Sequence, residues 1–253
     1  MKKTVALIQA RMSSSRLPGK VLMDIGGEPM IIRVVKRSQK AKTLGDMVVI
    51  TSDHQDDDAL EKICLDHGVS CFRGNLHDVL DRYYQAAKRF QAEIIVRITG
   101  DCPLLDPAIV DQVVRTIHKG SYDYVSNILE CTFPDGLDTE VFRMETLERA
   151  WLEARLKSER EHVTAFIYNH PELFRCGCVK HTKDLSSLRW TVDTSEDLAF
   201  VRAVYTHFAT SDFGMLEILE LLKRDPALGR VNAHLQRNEG YLKSLRGDKL
   251  VQE

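Results

Sequence analysis

Apolar residues in this chain fall in short, nearly unbroken runs rather than in strict alternation with polar ones. Segments 4–9 (TVALIQ), 47–51 (MVVIT), 69–73 and 93–99 (EIIVRIT) are apolar and rich in β-branched residues. Continuous runs of this kind suit strands covered on both faces, as in a parallel sheet. Between them the apolar positions take helical spacing. Pro29 stands at a first helical position, followed by Ile31, Val34 and Val35. Segments 56–67 and 77–90 open on acidic residues, which complement the positive end of a helix. Strand–helix alternation at this spacing predicts right-handed βαβ units around a mostly parallel sheet.

The second half is less regular. Pro107 opens a helix to about Lys119, and 122–126 reads as a strand. In 132–142 (TFPDGLDTEVF), Pro134-Asp135-Gly136 signals a turn before another strand. Helices are predicted at 145–156, 159–170 and 195–208, with short strands at 174–179 and 188–191. No repeat, low-complexity tract or linker interrupts the chain, so 1–253 reads as a single domain.

Composition narrows the classes. Lys plus Arg number 35 and Asp plus Glu 37, a formal net charge of −2. A nucleic-acid binder is usually basic, so nucleic acid is not expected as a partner. No apolar run approaches the ~18 residues of a membrane span, and no membrane partner is expected. The six cysteines, at 64, 71, 102, 131, 176 and 178, show no C-x-x-C spacing. They read as reduced, buried residues of a cytoplasmic protein.

Ligands of open α/β sheets bind at the carboxyl ends of the strands. The loop after the first strand, Ala10-Arg11-Met12-Ser13-Ser14-Ser15-Arg16-Leu17-Pro18-Gly19-Lys20, concentrates two arginines, a lysine and three serines there. Guanidinium forks, an ammonium and closely approaching backbone N–H groups together suit phosphate oxygens. A Walker A loop fails at Ser14 and Val21, and no G-x-G-x-x-G is present. Asp101, in Arg97-Ile98-Thr99-Gly100-Asp101-Cys102-Pro103, stands just past the fourth strand, where a carboxylate can hold Mg2+ against phosphates. Asp193, in Trp190-Thr191-Val192-Asp193-Thr194-Ser195-Glu196-Asp197-Leu198, stands at another strand–helix junction. Thr194 or Ser195 could cap the following helix, and an ordinary capping role is the alternative for Asp193 itself.

The run Gln9-Ala10-Arg11-Met12-Ser13-Ser14-Ser15-Arg16-Leu17-Pro18-Gly19-Lys20-Val21-Leu22 resembles the signature loop of sugar cytidylyltransferases. That family includes the 3-deoxy-manno-octulosonate and acylneuraminate cytidylyltransferases, and the spore-coat polysaccharide biosynthesis branch is the most similar. Supporting blocks are Gly100–Leu104, Pro134–Glu140, Arg160–Thr164, Val192–Leu198 and Asn238–Tyr241. The resemblance implies a three-layer α/β/α nucleotidyltransferase fold with a Rossmann-like, mostly parallel sheet. The N-terminal half would bind nucleotide; the second half would form an acceptor pocket and C-terminal helices. It implies that Arg11 and Lys20 contact CTP phosphates, with Ala10, Ser13, Ser14 and Arg16 lining the same loop. It implies Mg2+ on Asp101 and Asp193, and a looser match of Arg73 and Asn75 to a segment near the base. One departure stands out: the octulosonate enzymes carry Gln-Gly-Asp-Glu-Pro where this chain has Thr99-Gly100-Asp101-Cys102-Pro103. Acceptor identity is therefore not inherited. A homodimer is a further implication.

The expected reaction is transfer of CMP from CTP to a sugar, sugar acid or related polar acceptor in surface polysaccharide synthesis. Positioning and charge stabilisation carry such a reaction. Two alternatives stay open, a sugar-nucleotide-dependent glycosyltransferase and a non-catalytic binding subunit of a polysaccharide assembly complex. Glu161 and His162 are candidates for the acceptor side, His162 as a contact or base. Asp135, Asp138 and Glu140 are candidates for acceptor hydroxyls, or only for shaping a turn. Asp56-Asp57-Asp58 reads as a helix start, Trp151 and Trp190 as core or rim, and the 157–160 charges as a solvated face.

Overall fold

The first four apolar runs are strands, β1 (Thr4–Gln9), β2 (Asp46–Ser52), β3 (Ser70–Gly74) and β4 (Ile94–Thr99). They alternate with helices α1 (Met30–Ser38), α2 (Asp58–Asp66) and α3 (Val79–Arg89) in a computed structural model that describes residues 2–210, 212–237 and 239–250. There follow α4 (Pro107–Lys119), β5 (Tyr124–Ser126), β6 (Glu140–Arg143), α5 (Met144–Glu153), α6 (Lys157–His162), α7 (Ala165–Asn169) and β7 (Cys176–Cys178). The chain continues through α8 (Ser195–Phe208), α9 (Met215–Arg224) and α10 (Glu239–Arg246). Asn238, in the block that resembles the spore-coat branch, lies outside the described residues.

The sheet has seven strands in the order β3-β2-β1-β4-β6-β5-β7. β1 pairs parallel with both β2 and β4, so Ile8 lies between Val49 and Ile98. β6 alone runs against its neighbours β4 and β5. The sheet is thus mostly parallel but mixed, and the reversal has a consequence for charge. Antiparallel register sets Arg97 of β4 directly beside Glu140 of β6.

Successive strand residues face opposite sides, and both sides are apolar. Ala6, Ile8, Val96 and Ile98 join α1, α2, α4, α8 and α9 in one core. Val5, Leu7, Val48 and Ile95 join α3, α5 and α7 in another. This gives the three layers, and it explains the continuous runs: β1 and most of β2 and β4 are covered on both faces. Fully burying one such Val, Leu or Ile contributes about 1.5–3 kcal/mol.

Several predicted boundaries need correction. Pro29 is not the first helical residue; it is the N-cap of α1, with φ −55° and ψ 142°. The helix over 56–67 begins as a short tight turn, Gln55–Asp57, before α2. The helix over 159–170 is two helices, broken at Val163, whose φ of 61° no helix tolerates. Segment 188–191 is no strand; it contributes one isolated parallel bridge, Arg189 to Asp135. Trp190 is buried and Leu188 partly so, but the segment forms no ladder beyond that bridge. The cysteines carry no disulfide, yet only Cys64 and Cys102 are fully buried, the other four lying at partly exposed positions. Trp190 is core, as expected, and Trp151 stacks on Tyr84 with its indole N–H donated to Asp81.

One contact frames the site from the C-terminal side. The C-terminal segment returns to the start of α6, where Lys157 N–H donates to the Lys249 carbonyl at 2.9 Å and Ser158 donates to Asp248. Among the described residues no helix is long and apolar enough to cross a membrane.

Candidate functional site

The loop after β1 and the loop after β4 leave adjacent parallel strands at the same end of the sheet. Gly100 makes their close approach possible. A side chain there would bring its Cβ to 2.9 Å from Ala10 Cβ and 3.1 Å from the Gln9 carbonyl oxygen. The basic loop is also tied down at its start. The buried Asp57 carboxylate accepts from Met12 N–H at 2.7 Å and from the Ser52 N–H and hydroxyl. Burial would raise the Asp57 pKa, but these hydrogen bonds outweigh it and hold it below the ordinary carboxylate value.

A cavity of about 590 Å³ opens above these strand ends. Ala10, Arg11, Ser14, Arg16 and Lys20 line one side of it, with Asp101 and Asp193, and Lys157, Glu161 and Ser244 also contribute to its wall. Arg11 is exposed and makes no ion pair among the described residues, whereas Arg16 Nη2 reaches Asp193 Oδ2 at 2.8 Å. Ser13 is exposed and does not line the cavity.

Lys20 is different from the rest of its loop. Gly19, at φ 70°, turns the chain inward, and Lys20 is 7% exposed. Its ammonium donates to Asp101 Oδ2 at 2.8 Å, Asp193 Oδ1 at 2.8 Å and the Val192 carbonyl at 2.7 Å. Burial alone would lower the Lys20 pKa, but the two carboxylates reverse the direction and raise it. Burial would likewise raise Asp101; the attraction and hydrogen bond of Lys20 overcome this and hold it down at about 2. Asp101 and Asp193 are therefore hard oxygen donors that already converge on one positive charge. Among the described residues no group of three or more His, Cys, Asp and Glu side chains is placed to hold a metal. Two carboxylates nonetheless fit Mg2+, which fills its other positions with water and phosphate oxygens.

Asp193 is not the cap of α8. Thr194 is, accepting from Asp197 N–H at 3.3 Å, while Asp197 reaches back to the Thr194 N–H. Asp193 is held instead by Arg189, which the sequence does not single out. The buried Arg189 guanidinium donates to Asp193 at 2.8 Å, Asp135 at 2.8 Å and Asp197 at 3.0 Å. Only its charge within the apolar run LRWTV marked it out.

The other predicted residues divide. Glu161 is in the cavity wall. His162 is behind it, its Nε2 at 3.0 Å from the Ser244 hydroxyl and its ring edge-on to Tyr241; burial lowers its pKa. Asp135 and Asp138 do not line the cavity but are bound by Arg189 and Arg237, with Arg237 Nη2 at 2.6 Å from Asp138. Burial pushes Asp138 up to about 7, assisted by Asp135 and Glu140 and opposed by Arg237. Glu140 is buried beneath, paired with Arg97 and accepting from the Tyr124 and Thr164 hydroxyls at 2.7 and 2.6 Å. Arg73 and Asn75 lie outside the cavity wall. Arg73 pairs with Asp58 and Glu61, and Asn75 accepts from His77 and Asp78 N–H groups ahead of α3. The 157–160 charges are not a solvated face. Lys157 lines the cavity, Glu159 is buried, and Arg160 pairs with Asp78 at the α3 N-terminus.

Residues 5–231 match the family model of the cytidylyltransferases. The spore coat polysaccharide biosynthesis protein SpsF of Bacillus subtilis is 34% identical over 236 residues, which is 89% of this chain and 96% of SpsF. A cytidylyltransferase structure from Leptospira borgpetersenii superposes with a TM-score of 0.87 at 33% identity, covering 94% of this chain and all of that one. A CMP:2-keto-3-deoxy-manno-octonic acid synthetase complexed with CTP shares the fold, with a TM-score of 0.64 at 19% identity over 81% of this chain and 99% of that one.

Proposed function

The chain belongs to the cytidylyltransferase family, and on that premise we propose that it moves CMP from CTP to a sugar, sugar acid or related polar acceptor with release of pyrophosphate. The observation that carries this reading is the convergence of the basic loop and the Asp101–Asp193 pair on one cavity. The acceptor hydroxyl gives up its proton to solvent as its oxygen bonds to the α-phosphorus, the bond from that phosphorus to the bridging oxygen breaks, and pyrophosphate leaves. Arg11 and Arg16 have the charge and position to bind the triphosphate and to stabilise negative charge growing on the leaving group. Ala10, Ser14 and Ser15 line the same wall, and these small residues allow close approach. Lys157, Glu161 and Ser244 supply a mixed set of donors and acceptors for a hydroxylated acceptor.

Mg2+ would be held by Asp101 and Asp193 and would neutralise phosphate charge there. Support for CTP as donor comes from the family and from the synthetase of like fold that is complexed with it. The role in polysaccharide synthesis rests on the likeness to SpsF. Purified protein incubated with each of the four nucleoside triphosphates, Mg2+ and a panel of sugars and sugar acids tests the reading. Pyrophosphate release is expected with CTP and at least one acceptor. Pyrophosphate release with none of the triphosphates, or only with one other than CTP, contradicts it.

A further inference from the structure

A lysine ammonium has three donors and no more. In this protein all three of Lys20 are taken, by Asp101 Oδ2, Asp193 Oδ1 and the Val192 carbonyl. Held this way, Lys20 has no donor left for a phosphate oxygen. It also stands where the two carboxylates converge, so a divalent cation on the same oxygens must displace it. The second oxygen of Asp193 offers no easy escape, because Arg16 and Arg189 already occupy it.

We propose that Lys20 is an exchangeable internal counter-cation: it fills the Asp101–Asp193 site in the nucleotide-free protein and yields it to a divalent cation when a triphosphate draws the ammonium away. Two physical arguments support this. Two carboxylates brought together with little water need a positive charge at all times, since a buried charge left uncompensated is strongly destabilising. Lysine, a point charge on a flexible four-carbon stem, can change partners without rebuilding the loop, as a planar guanidinium could not. Lys20 also lies in a single short turn, Lys20–Leu22, rather than in a long helix that would fix it. The consequence is an order of events: free divalent cation binds weakly, and metal enters together with the nucleotide.

The identity of the displacing ligand rests on the function proposed above; the competition between ammonium and metal does not. Mn2+ binding to nucleotide-free protein, followed by electron paramagnetic resonance, therefore tests it without turnover. Lys20→Met conserves most of the volume and removes the charge. We expect it to bind Mn2+ at least ~10-fold more tightly than wild type, about 1.4 kcal/mol. Adding Asp101→Asn to that variant should abolish the gain. Equal or weaker Mn2+ binding by folded Lys20→Met overturns the proposal. A second measurement uses wild type, so that folding of a variant is not at issue. The Lys20 ammonium is followed by 15N–1H NMR, with Mg2+ alone and, separately, with CTP and Mg2+ together. Displacement of its signal by CTP with Mg2+ but not by Mg2+ alone is expected; no change with CTP and Mg2+ together overturns the proposal. Absence of pyrophosphate release with any acceptor would count against the function while leaving the Mn2+ comparison to stand.

Discussion

The loop after β1 and the wall beside β4 are both rich in charge, but they hold it differently. Arg11 is exposed and Arg16 partly so, each at the rim of the cavity. Arg97, Glu140, Arg189 and Asp135 are largely buried, and each is engaged by at least one charge of opposite sign. Exposed charge can change with little effect on stability, whereas a buried pair is strongly destabilised when one partner is lost. Function on the loop side should therefore separate from stability, and on the wall side the two should move together. Lys20 belongs to the loop by sequence and to the wall by burial.

The largest effect is expected in the wall. Glu140→Gln leaves the Arg97 charge without its partner in the sheet, and the Tyr124 and Thr164 hydroxyls without their carboxylate. A loss of about 3–5 kcal/mol in urea-unfolding free energy is expected. A loss below about 1 kcal/mol would break the comparison.

Next is Asp193→Asn, which keeps shape but removes a charge shared by Lys20, Arg16 and Arg189. Turnover should fall by at least ~10²-fold. Thr194→Ala is the matched control. It removes the cap of α8 and should lower stability by about 1 kcal/mol while activity per folded molecule persists. The reverse pattern would make Asp193 a structural residue.

How far these roles were legible in the sequence can be judged residue by residue. β1 and α4 are read to the residue, because unbroken β-branched runs and an Asp-Pro helix start leave little choice. Arg11, Lys20 and Asp101 are legible as a group because one loop and one strand end carry them. Segment 188–191 is not: its apolar residues mimic a strand, and only tertiary structure shows that among the described residues it pairs through a single bridge to Asp135. The break at Val163 was hidden because a left-handed valine has no local signature. Arg189 and Arg237 are not legible because Asp135 and Asp138 are tens of residues away from them in sequence, and the near partner of Arg189, Asp193, stands four residues on in a segment with no helical pattern to bring the two together. Lys157 read as solvated because helical spacing does not show the cavity it faces.

A smaller effect sharpens the comparison through pH. Asp101 is held at about 2, against an ordinary value of 3.8. A depressed carboxylate stabilises the fold above pH 3.8, and this contribution is lost as pH falls from 3.8 toward about 2. Wild type should exceed Asp101→Asn by about 2 kcal/mol at neutral pH, from a shift of roughly two units. Urea unfolding at stepped pH should show that gap closing through this acidic window. Lys20 acts in the opposite sense: its raised pKa gives stability present below 10.5 that is lost only as pH rises through the higher folded value. A gap that stays constant from pH 7 to about 2 would deny the Lys20–Asp101 coupling.

The smallest effect belongs to the rim. Arg11→Ala should weaken CTP binding by about tenfold, the order of one charged hydrogen bond, about 1.4 kcal/mol. Its melting temperature should match wild type, because an exposed loop guanidinium contributes little to the core. Calorimetric titration and thermal melting of the same preparation separate the two. Unchanged affinity would remove Arg11 from the phosphate site.

The central claim is that the α-phosphorus of CTP changes partners. CTP labelled with 32P at the α position, in a parallel reaction at the γ position, follows both products of that exchange. With an accepted sugar or sugar acid, the α label should move into a CMP–acceptor product, and the γ label should appear only in pyrophosphate. An acceptor product that lacks the α label, or γ label released as orthophosphate with CDP left behind, would contradict cytidylyl transfer.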